Sequence, residues 1–430
     1  MKKIILTALL AGSVALAQGR KNQVAVDANN RVGLRLMQEV TKEELRKSET
    51  KNIMISPLSA HEALSMALNG TRSRTESEFK KFFGYANNVN LSEVNNANQE
   101  IRSSLVKVPM TKEEKMKLNP GQKPTFGFTV ANSAWNTNGK TTGRPYNFST
   151  GFISTLKSNY AIASTRSMDF VDPKAADVVN KWCEDNTNGM VKKIVSKDDL
   201  EKFLWILLNA TYLEGAWEHG FREIKGNVEP NFTLATNQKV VVKSMSQQSH
   251  TNYYEDGHVQ SVELPIYKST VSVYVIAPKT IGDYQQLQKD GGVWSREYLA
   301  QVIAKAQPKH GLIAMPKFSF DYGVELKEDA PLTQSLGLNF LFKDGADFSK
   351  MDAPGTIPSK VGIIKQNTRV EFDENGIKAA AVTMIGGIER TSVPHFEFKM
   401  NVDKPFFFVI FDKQTASLLF LGQVADPRTK

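Results

Sequence analysis

The sequence predicts an α+β fold, with helices concentrated in the first half of the chain and strands in the second. Residues 27–44 repeat apolar side chains at helical spacing, whereas runs rich in β-branched residues follow one another after residue 200. The two kinds of segment do not alternate as they do in β-α-β units. The run FLWILLNATY, residues 203–212, is too apolar for a half-exposed strand and predicts a central strand covered on both faces.

The helices of the first half begin and end at recognisable residues. The stretch NIMISPLS, residues 52–59, predicts a short strand that ends at Pro57. Ser59 then predicts the cap of a helix over residues 60–69, and Gly70 ends that helix. Further helices are predicted over residues 75–83 and from Asp172 to Trp182.

The strands of the second half share short apolar or alternating runs. They are predicted at residues 240–245, 259–264, 271–276, 312–320, 368–372, 406–410 and 418–424. The chain has 430 residues, of which 41% are apolar and 23% charged, so it can bury a large core. No Pro- or Ser-rich linker divides it, which favours one large domain.

The first 17 residues have the composition of a secretory signal peptide. Lys2 and Lys3 form the basic end, residues 4–16 the apolar stretch, and Ala15 and Ala17 the small residues before the cut. The apolar stretch is too short to span a membrane, and no other run reaches about 18 apolar residues. We expect residues 18–430 to be secreted, into the periplasm if the source is bacterial.

The single cysteine and the charges indicate no special chemistry. Cys183, beside Trp182 in a helical stretch, is expected to be a buried apolar side chain. The net charge is +9, and loss of Lys2 and Lys3 with the leader would leave +7. One basic cluster, which Glu113 and Glu114 interrupt, fits a solvated helix face or loop better than a polyanion site. Its members are Lys107, Lys112, Lys115, Lys117 and Lys123. Nothing indicates nucleic acid or a membrane as partner, and we expect a monomer.

The sequence contains no recognisable set of catalytic or metal-binding residues. The motifs HExxH, GxSxG, GxGxxG and the phosphate-binding loop of nucleotide hydrolases are all missing. No two of the six histidines stand three or four residues apart, so a helix cannot present a histidine pair to a metal ion. An enzyme and a bound cofactor are therefore disfavoured.

The segment GIKAAAVTMIGGIERTSVP, residues 376–394, is unusual near the end of a packed chain. Alternate residues from Ile377 to Ile385 are small or apolar and uncharged, so the segment could be a strand with one face buried. Gly386 and Gly387 interrupt that pattern, and Arg390 follows as a cleavage site for trypsin-like proteases. An ordinary alanine-rich loop or short helix would also fit this composition.

Eight motifs follow one another along the chain. They are NIMISPLSAHEALSMALNGT (52–71), NSAW (132–135), VNKWCEDNTNGMVKKIV (179–195), LLNATYLEGAWEHGF (207–221), MPKFSF (315–320), LGLNFLF…ADFSKM (336–351), VEFDENG (370–376) and DKPFFFVIFDKQTASLLFLGQVADP (403–427). Together they make residues 24–427 resemble the serpin family. The resemblance implies a large central sheet, smaller sheets, about eight to nine helices and an exposed reactive-centre loop at about residues 374–395. It also implies that a serine protease cleaves the loop, forms an acyl-enzyme and is trapped when the loop inserts into the central sheet.

The resemblance also assigns residues. Glu374, Gly376, Ile377 and the small residues Ala379, Ala380 and Ala381 match the hinge of the loop, and the usual loop length places the cleaved bond between Arg390 and Thr391. Ser56, Asn209, Trp217 and Gln366 match the shutter and breach regions, where the main sheet opens.

Three hinge and shutter positions depart from the family pattern. Ile377 stands where Thr or Ser is usual, and its bulk on the inward face is expected to slow insertion. Lys378 replaces an acidic residue and should face solvent. Gln366 replaces a histidine and could bond Ser56 or Asn209, without pH sensitivity.

The resemblance leaves more than one function open. A trypsin-like target fits Arg390, whereas Ile388 or Met384 would suit elastase- or subtilisin-like proteases, and cysteine proteases are a further class. A non-inhibitory carrier, chaperone or storage protein of the same fold is the main alternative. The alanines at 379–381 favour an inhibitor.

Overall fold

Helical periodicity in the first half of the chain produces a layer of helices that packs against two large sheets. The computed structural model describes residues 23–48, 50–105, 126–162, 165–226, 231–355, 360–377 and 395–428. Within those ranges ten α-helices occur, slightly more than expected. They are α1 (Gln23–Leu45), α2 (Pro57–Leu68), α3 (Ser73–Phe83), α4 (Leu91–Ser104), α5 (Thr150–Tyr160), α6 (Ala175–Asn186), α7 (Lys197–Leu200), α8 (Ile281–Gln288), α9 (Arg296–Lys305) and α10 (Pro331–Ser335). None of the helices in the described ranges is long and apolar enough to cross a membrane.

Helix α2 begins earlier than the sequence predicted, at Pro57 and not after Ser59. The cap is Ser56, whose hydroxyl oxygen accepts a hydrogen bond from the backbone N–H of Ser59 at 3.3 Å. Pro57 fits the first helical position because that position needs no N–H donor. Similarly, Asp172 does not open α6 but forms the turn before it, where its backbone oxygen accepts from Ala175 N at 2.9 Å.

Seventeen strands occur in the described residues. They are β1 (Ile53–Ile55), β2 (Phe126–Thr137), β3 (Thr165–Met168), β4 (Trp205–Ala216), β5 (Arg222–Ile224), β6 (Phe232–Thr233), β7 (Lys239–Val240), β8 (Ser244–Glu255), β9 (Val259–Pro265), β10 (Val271–Pro278), β11 (Gln307–Pro316), β12 (Phe318–Lys327), β13 (Ile363–Phe372), β14 (Gly376–Ile377), β15 (Phe398–Asn401), β16 (Phe406–Asp412) and β17 (Ser417–Val424).

The strands form one nine-stranded sheet, one six-stranded sheet and a small hairpin. The nine-stranded sheet has the order β1-β17-β16-β10-β9-β8-β11-β15, with β5 also paired to β8. The six-stranded sheet has the order β12-β13-β14-β4-β2-β3, and β6 and β7 form the hairpin. The α+β prediction is therefore confirmed.

Two predicted strands are wrong in their extent. Residues 312–320 belong to two strands in different sheets, β11 and β12, because the chain turns at Lys317, whose N–H donates to Lys243 O at 2.8 Å. Residues 240–245 are likewise divided between the end of β7 and the start of β8. In both cases the apolar pattern continues across a corner, so the pattern alone does not reveal the change of sheet.

Strand β4 is the central strand that the apolar run predicted. On one face it packs against α6 through Ile206, Leu208 and Ala210, in a cluster that includes Cys183. Its other face is directed to the main core. Cys183 is only 1% exposed, and burial raises the pKa of its thiol to about 12, so the prediction of an inert buried side chain is confirmed.

Candidate functional site

The six-stranded sheet is incomplete in its middle. Strands β4 and β13 are parallel, and each is fully paired on its outer side, with β2 and β12 respectively. Between them, the described residues provide only the two-residue strand β14, with Gly376 opposite Ala216, and Ile377 opposite both Gly215 and Phe372. Below β14, no pairing among the described residues joins the facing edges of β4 and β13. We call this gap the slot.

Cavities lie along the slot. One of about 30 Å³ is lined by Asn209, Gln366 and the α2 residues Ser59, Ala60 and Ala63, among others. A second cavity, of about 50 Å³, lies further down between the lower ends of β4 and β13. The walls of the slot are therefore not tightly closed against each other.

Strand β14 holds the top of the slot, and its two residues fit there for different reasons. Gly376 has φ +156°, and a Cβ atom on it would lie 2.0 Å from the backbone oxygen of Gly215, so only glycine can approach this closely. Ile377 is 2% exposed and packs into the main core. The sequence predicted residues 376–394 as a loop that could become a strand. The first two residues of that segment, Gly376 and Ile377, already form a strand.

A tight turn at residues 373–376 leads into β14. The Asp373 carboxylate accepts hydrogen bonds from the N–H groups of Asn375 at 2.7 Å and Gly376 at 3.2 Å, and Asp373 N donates to Gly376 O at 3.1 Å. Burial raises the pKa of Asp373, although these backbone hydrogen bonds favour the charged form.

Trp217, directly after β4, holds this turn in place through two hydrogen bonds. Its indole N–H donates to Asp373 O at 2.9 Å, and its backbone N–H donates to Asn375 O at 3.0 Å. The ring packs against Phe372 and Phe221, with centroids 5.4 and 5.9 Å away. Trp217 therefore connects the end of β4 to the start of the hinge through both its side chain and its backbone.

Glu374, the acidic residue of the hinge, forms an ion pair that the sequence did not reveal. Lys317 Nζ lies 2.6 Å from Glu374 Oε1 and 3.3 Å from Glu223 Oε1. Burial alone would lower the pKa of Lys317, but the two carboxylates outweigh it and the pKa is raised. The sequence separation of 57 residues between Lys317 and Glu374 hides this pair.

Under the slot, Gln366 and Asn209 form hydrogen bonds with different partners. The Gln366 amide accepts from Ser56 N and donates to Ser56 O, both at 2.9 Å, which confirms one of its two predicted partners. The Asn209 amide instead donates to Asn132 Oδ1 at 2.7 Å, so the bond between Gln366 and Asn209 is not formed.

Asn132 continues this network to a buried ion pair. Its amide donates to Glu62 Oε2 at 2.8 Å, and Glu62 Oε1 lies 2.6 Å from Arg102 Nη1. Burial raises the pKa of Glu62, while Arg102 and Asn132 oppose that rise. Glu62 is the only carboxylate in α2, and this isolated charge on an apolar helix is the one signal in the sequence that could have revealed the pair.

Several predicted residues lie outside the described residues. They are the leader at residues 1–17, the lysine cluster at 107–123, the hinge alanines Ala379, Ala380 and Ala381, Lys378, and the cleavage site at Arg390 and Thr391.

Comparisons with known proteins agree with this geometry. Residues 27–427 match the family model described as Serpin (serine protease inhibitor). Iripin-1 of Ixodes ricinus is 27% identical over 95% of both chains, and the leukocyte elastase inhibitor of Xenopus laevis is 27% identical over 88% of this chain and 94% of its own. The solved structure of a thyroxine-binding globulin complex with thyroxine matches with a TM-score of 0.75 at 21% identity, covering 95% of this chain and all of the other.

Proposed function

Because the chain belongs to the serpin family, we propose that it is a suicide-substrate inhibitor of trypsin-like serine proteases. Proteases are the partners of this family, and the protein is not an enzyme. In the proposed mechanism, the protease cuts the loop and remains bound as an acyl-enzyme. The cut loop then enters the slot as a new strand and carries the protease with it, before the acyl bond can be hydrolysed.

The slot is the observation that carries the proposal. Strand β14 runs antiparallel to both β4 and β13, so each further residue of the loop would pair with an earlier residue of each wall. If both registers continue, Thr383 comes opposite Asn209 on one side and Gln366 on the other. A strand that continued β14 would therefore have partners on both walls, and β4 reaches down to the level of residue 387.

The burial of Ile377 supports one choice of inward face for that strand. Side chains alternate in a strand, so Ala379, Ala381, Thr383 and Ile385 would follow Ile377 into the core. Lys378 would face solvent. The inward residues carry no charge, so their burial requires no desolvation of an ion. Insertion would satisfy the unpaired edges of both walls, at about 0.5–1.5 kcal/mol for each hydrogen bond.

Arg390 supports the trypsin-like target. It would lie three residues beyond the level at which β4 ends, so a cut after Arg390 would release the full length of chain that the slot accepts. Its basic side chain suits a specificity pocket that contains a carboxylate.

The proposal is tested by incubating the protein with trypsin and with elastase-like, subtilisin-like and cysteine proteases. We expect a complex with trypsin that survives SDS, and mass spectrometry should place the cut after Arg390. Arg390→Ala should weaken trypsin inhibition at least about 100-fold, because the charge pairing in the pocket is lost. Glu389→Ala is the matched control and should inhibit nearly as well as wild type. Cleaved protein without any complex would contradict the proposal.

One observation favours a second function. Ile377 is larger than the usual hinge residue, and a hinge that inserts slowly for this reason would suit a carrier or storage protein. Such a protein would gain no thermal stability when its loop is cut.

The proposed localisation and assembly follow from the sequence. We propose that residues 1–17 direct export and are removed, and that residues 18–430 act as a monomer. The lysine cluster at 107–123 is at most a secondary contact for a polyanion. Detection of the mature N-terminus at Gln18 in the exported protein would test the leader.

A further inference from the structure

The segment between α6 and β4 lies across the outer side of the slot. We call residues 187–200 the cover segment. Helices α6 and α7 at its ends pack on the β4 side, because Val179 and Leu200 share one apolar cluster with Ile206. Ile194 and Val195 in its middle line the lower cavity together with residues of β4 and β13. The cover segment therefore belongs to the β4 side but reaches β13.

Two polar contacts fasten the cover segment to β13. The Asn367 amide donates to Lys193 O at 2.5 Å, and Lys365 Nζ lies 2.7 Å from Asp199 Oδ2. A groove of about 590 Å³ lies between residues 189–193 and strands β12 and β13.

Strand β13 is fixed to the opposite side of the molecule. Below the sheet, Gln366 forms its two hydrogen bonds with Ser56, and Thr368 Oγ1 donates to Met54 O at 3.0 Å in β1. Lys365 therefore stays with β1 and α2, whereas Asp199 stays with β4 through the packing of α7.

A strand that enters the slot must separate β4 from β13. Neighbouring strands lie about 4.7–4.9 Å apart, so the walls move by about that distance. A contact of 2.7 Å between the two sides cannot persist through such a movement without rearrangement. We propose that the Lys365–Asp199 ion pair is a latch across the slot that slows strand insertion, and this inference rests on the proposed function.

A second contact of Lys365 provides a control for the latch. Lys365 Nζ also lies 3.3 Å from Glu325 Oε2 in β12, which is on its own side of the slot. That contact does not cross the slot and should not change on insertion. The two side chains of the latch are each about one-fifth exposed, at 20% and 21%, so solvent screens their attraction less than that of a surface pair.

Asp199 is charged under any practical assay condition. Burial alone would raise its pKa, but Lys365 and the hydrogen bonds with Ser196 lower that pKa to about 2. Asp199 also accepts from Ser196 N at 3.0 Å and so caps α7. Lys365→Met is therefore the cleaner variant, because it keeps the aliphatic stem and leaves the cap intact.

The test compares wild type, Lys365→Met, Asp199→Asn, the double variant and the control Glu325→Gln. Two quantities are measured: the number of inhibitor molecules consumed per trypsin trapped, and the rate at which the uncut protein loses inhibitory activity on warming. Loss of the latch should raise the rate of inactivation on warming about two- to fivefold. It should also lower the number of inhibitor molecules consumed per trypsin trapped, because faster insertion favours trapping. The double variant should match the single variants, and Glu325→Gln should match wild type.

Ionic strength separates the latch from a change in packing. Added salt should bring the inactivation rate of wild type toward that of Lys365→Met and leave the variant unchanged. The latch is wrong if Lys365→Met behaves like Glu325→Gln, or if only Asp199→Asn has an effect, which would assign the effect to the α7 cap. A wild-type protein that forms no complex and gains no stability on cleavage would instead contradict the proposed function.

Discussion

The two large sheets differ in how completely their central strands are paired. In the nine-stranded sheet, β10 pairs with β16 from Val271 to Ile276 and with β9 from Ser272 to Pro278. Every residue of β10 and β16 is buried. In the six-stranded sheet, β4 and β13 are paired along their length on one side, but on the other the described residues pair only with β14.

The difference indicates a division of roles between the sheets. The centre of the nine-stranded sheet is paired on both sides of β10 and β16 and buried on both faces, so it supplies a fixed scaffold. In the six-stranded sheet, no strand pairing among the described residues joins the facing edges of β4 and β13 below β14, and a strand can be added there. Changes to the first should affect stability in every state, whereas changes at the slot should affect only the step that fills it.

The largest effect is expected from a charge on the inward face of the loop. Ala381→Glu would place a carboxylate in the core on insertion, and an unpaired buried charge costs several kcal/mol. Inhibition of trypsin should fall at least about 100-fold, and the protein should become a substrate. Ala380→Glu, one residue away on the outward face, is the matched control. The alternation is wrong if both variants inhibit equally, as measured by residual trypsin activity.

The second-largest effect is expected from a cavity in the nine-stranded sheet. Phe407 of β16 is fully buried and packs against Tyr284 and Trp294, with ring centroids 5.3 and 5.5 Å away. Phe407→Ala should lower the free energy of unfolding by about 3–5 kcal/mol, measured by urea denaturation. The loss should be similar in uncut and cut protein, because β16 keeps its partners. A loss confined to one form would contradict the separation of roles.

A pH-dependent effect is expected from the helical layer. His61 of α2 is 0% exposed, and burial lowers its pKa from 6.5 to about 3. Because the folded state disfavours the charged form, its contribution is fully present above pH 6.5 and is lost as the pH falls from 6.5 toward 3. The free energy of unfolding should fall by about 1.4 kcal/mol per pH unit in that window. His61→Gln should lack this part of the slope, and equal slopes in both proteins would exclude the assignment.

The smallest effect is expected at Thr383. Its hydroxyl would reach the level of Asn209 and Gln366 only after insertion, so Thr383→Ala should lower the stability of the cut form by about 1 kcal/mol. The uncut form should be unchanged. Thr383→Ser keeps the hydroxyl and should leave the stability of the cut form near that of wild type. Thermal unfolding of both forms provides the measurement. An equal loss of stability in the uncut and cut forms would contradict the claim that Thr383 reaches Asn209 and Gln366 only on insertion.

Much of the fold could be predicted from the sequence, but most of the contacts around the slot could not. The run at 203–212 predicted the central strand because its residues are apolar on both faces, and Gln366 was correctly expected to reach Ser56. The cap at Ser56 was missed because Ser59 is an equally good capping residue in isolation. The pairs Lys317–Glu374, Glu62–Arg102 and Lys365–Asp199 join residues far apart in the chain, and charge patterns cannot show which distant partners meet.

The filling of the slot can be measured most directly by thermal unfolding before and after cleavage at Arg390. The molecules that trypsin cleaves without being trapped, separated from the covalent complex by chromatography, supply the cut form. If the loop enters the slot, roughly ten residues gain strand pairing, and the midpoint of unfolding should rise by at least about 10 °C. A cut form that unfolds at the same temperature as the uncut protein, or below it, would contradict the central claim that the gap between β4 and β13 accepts the loop.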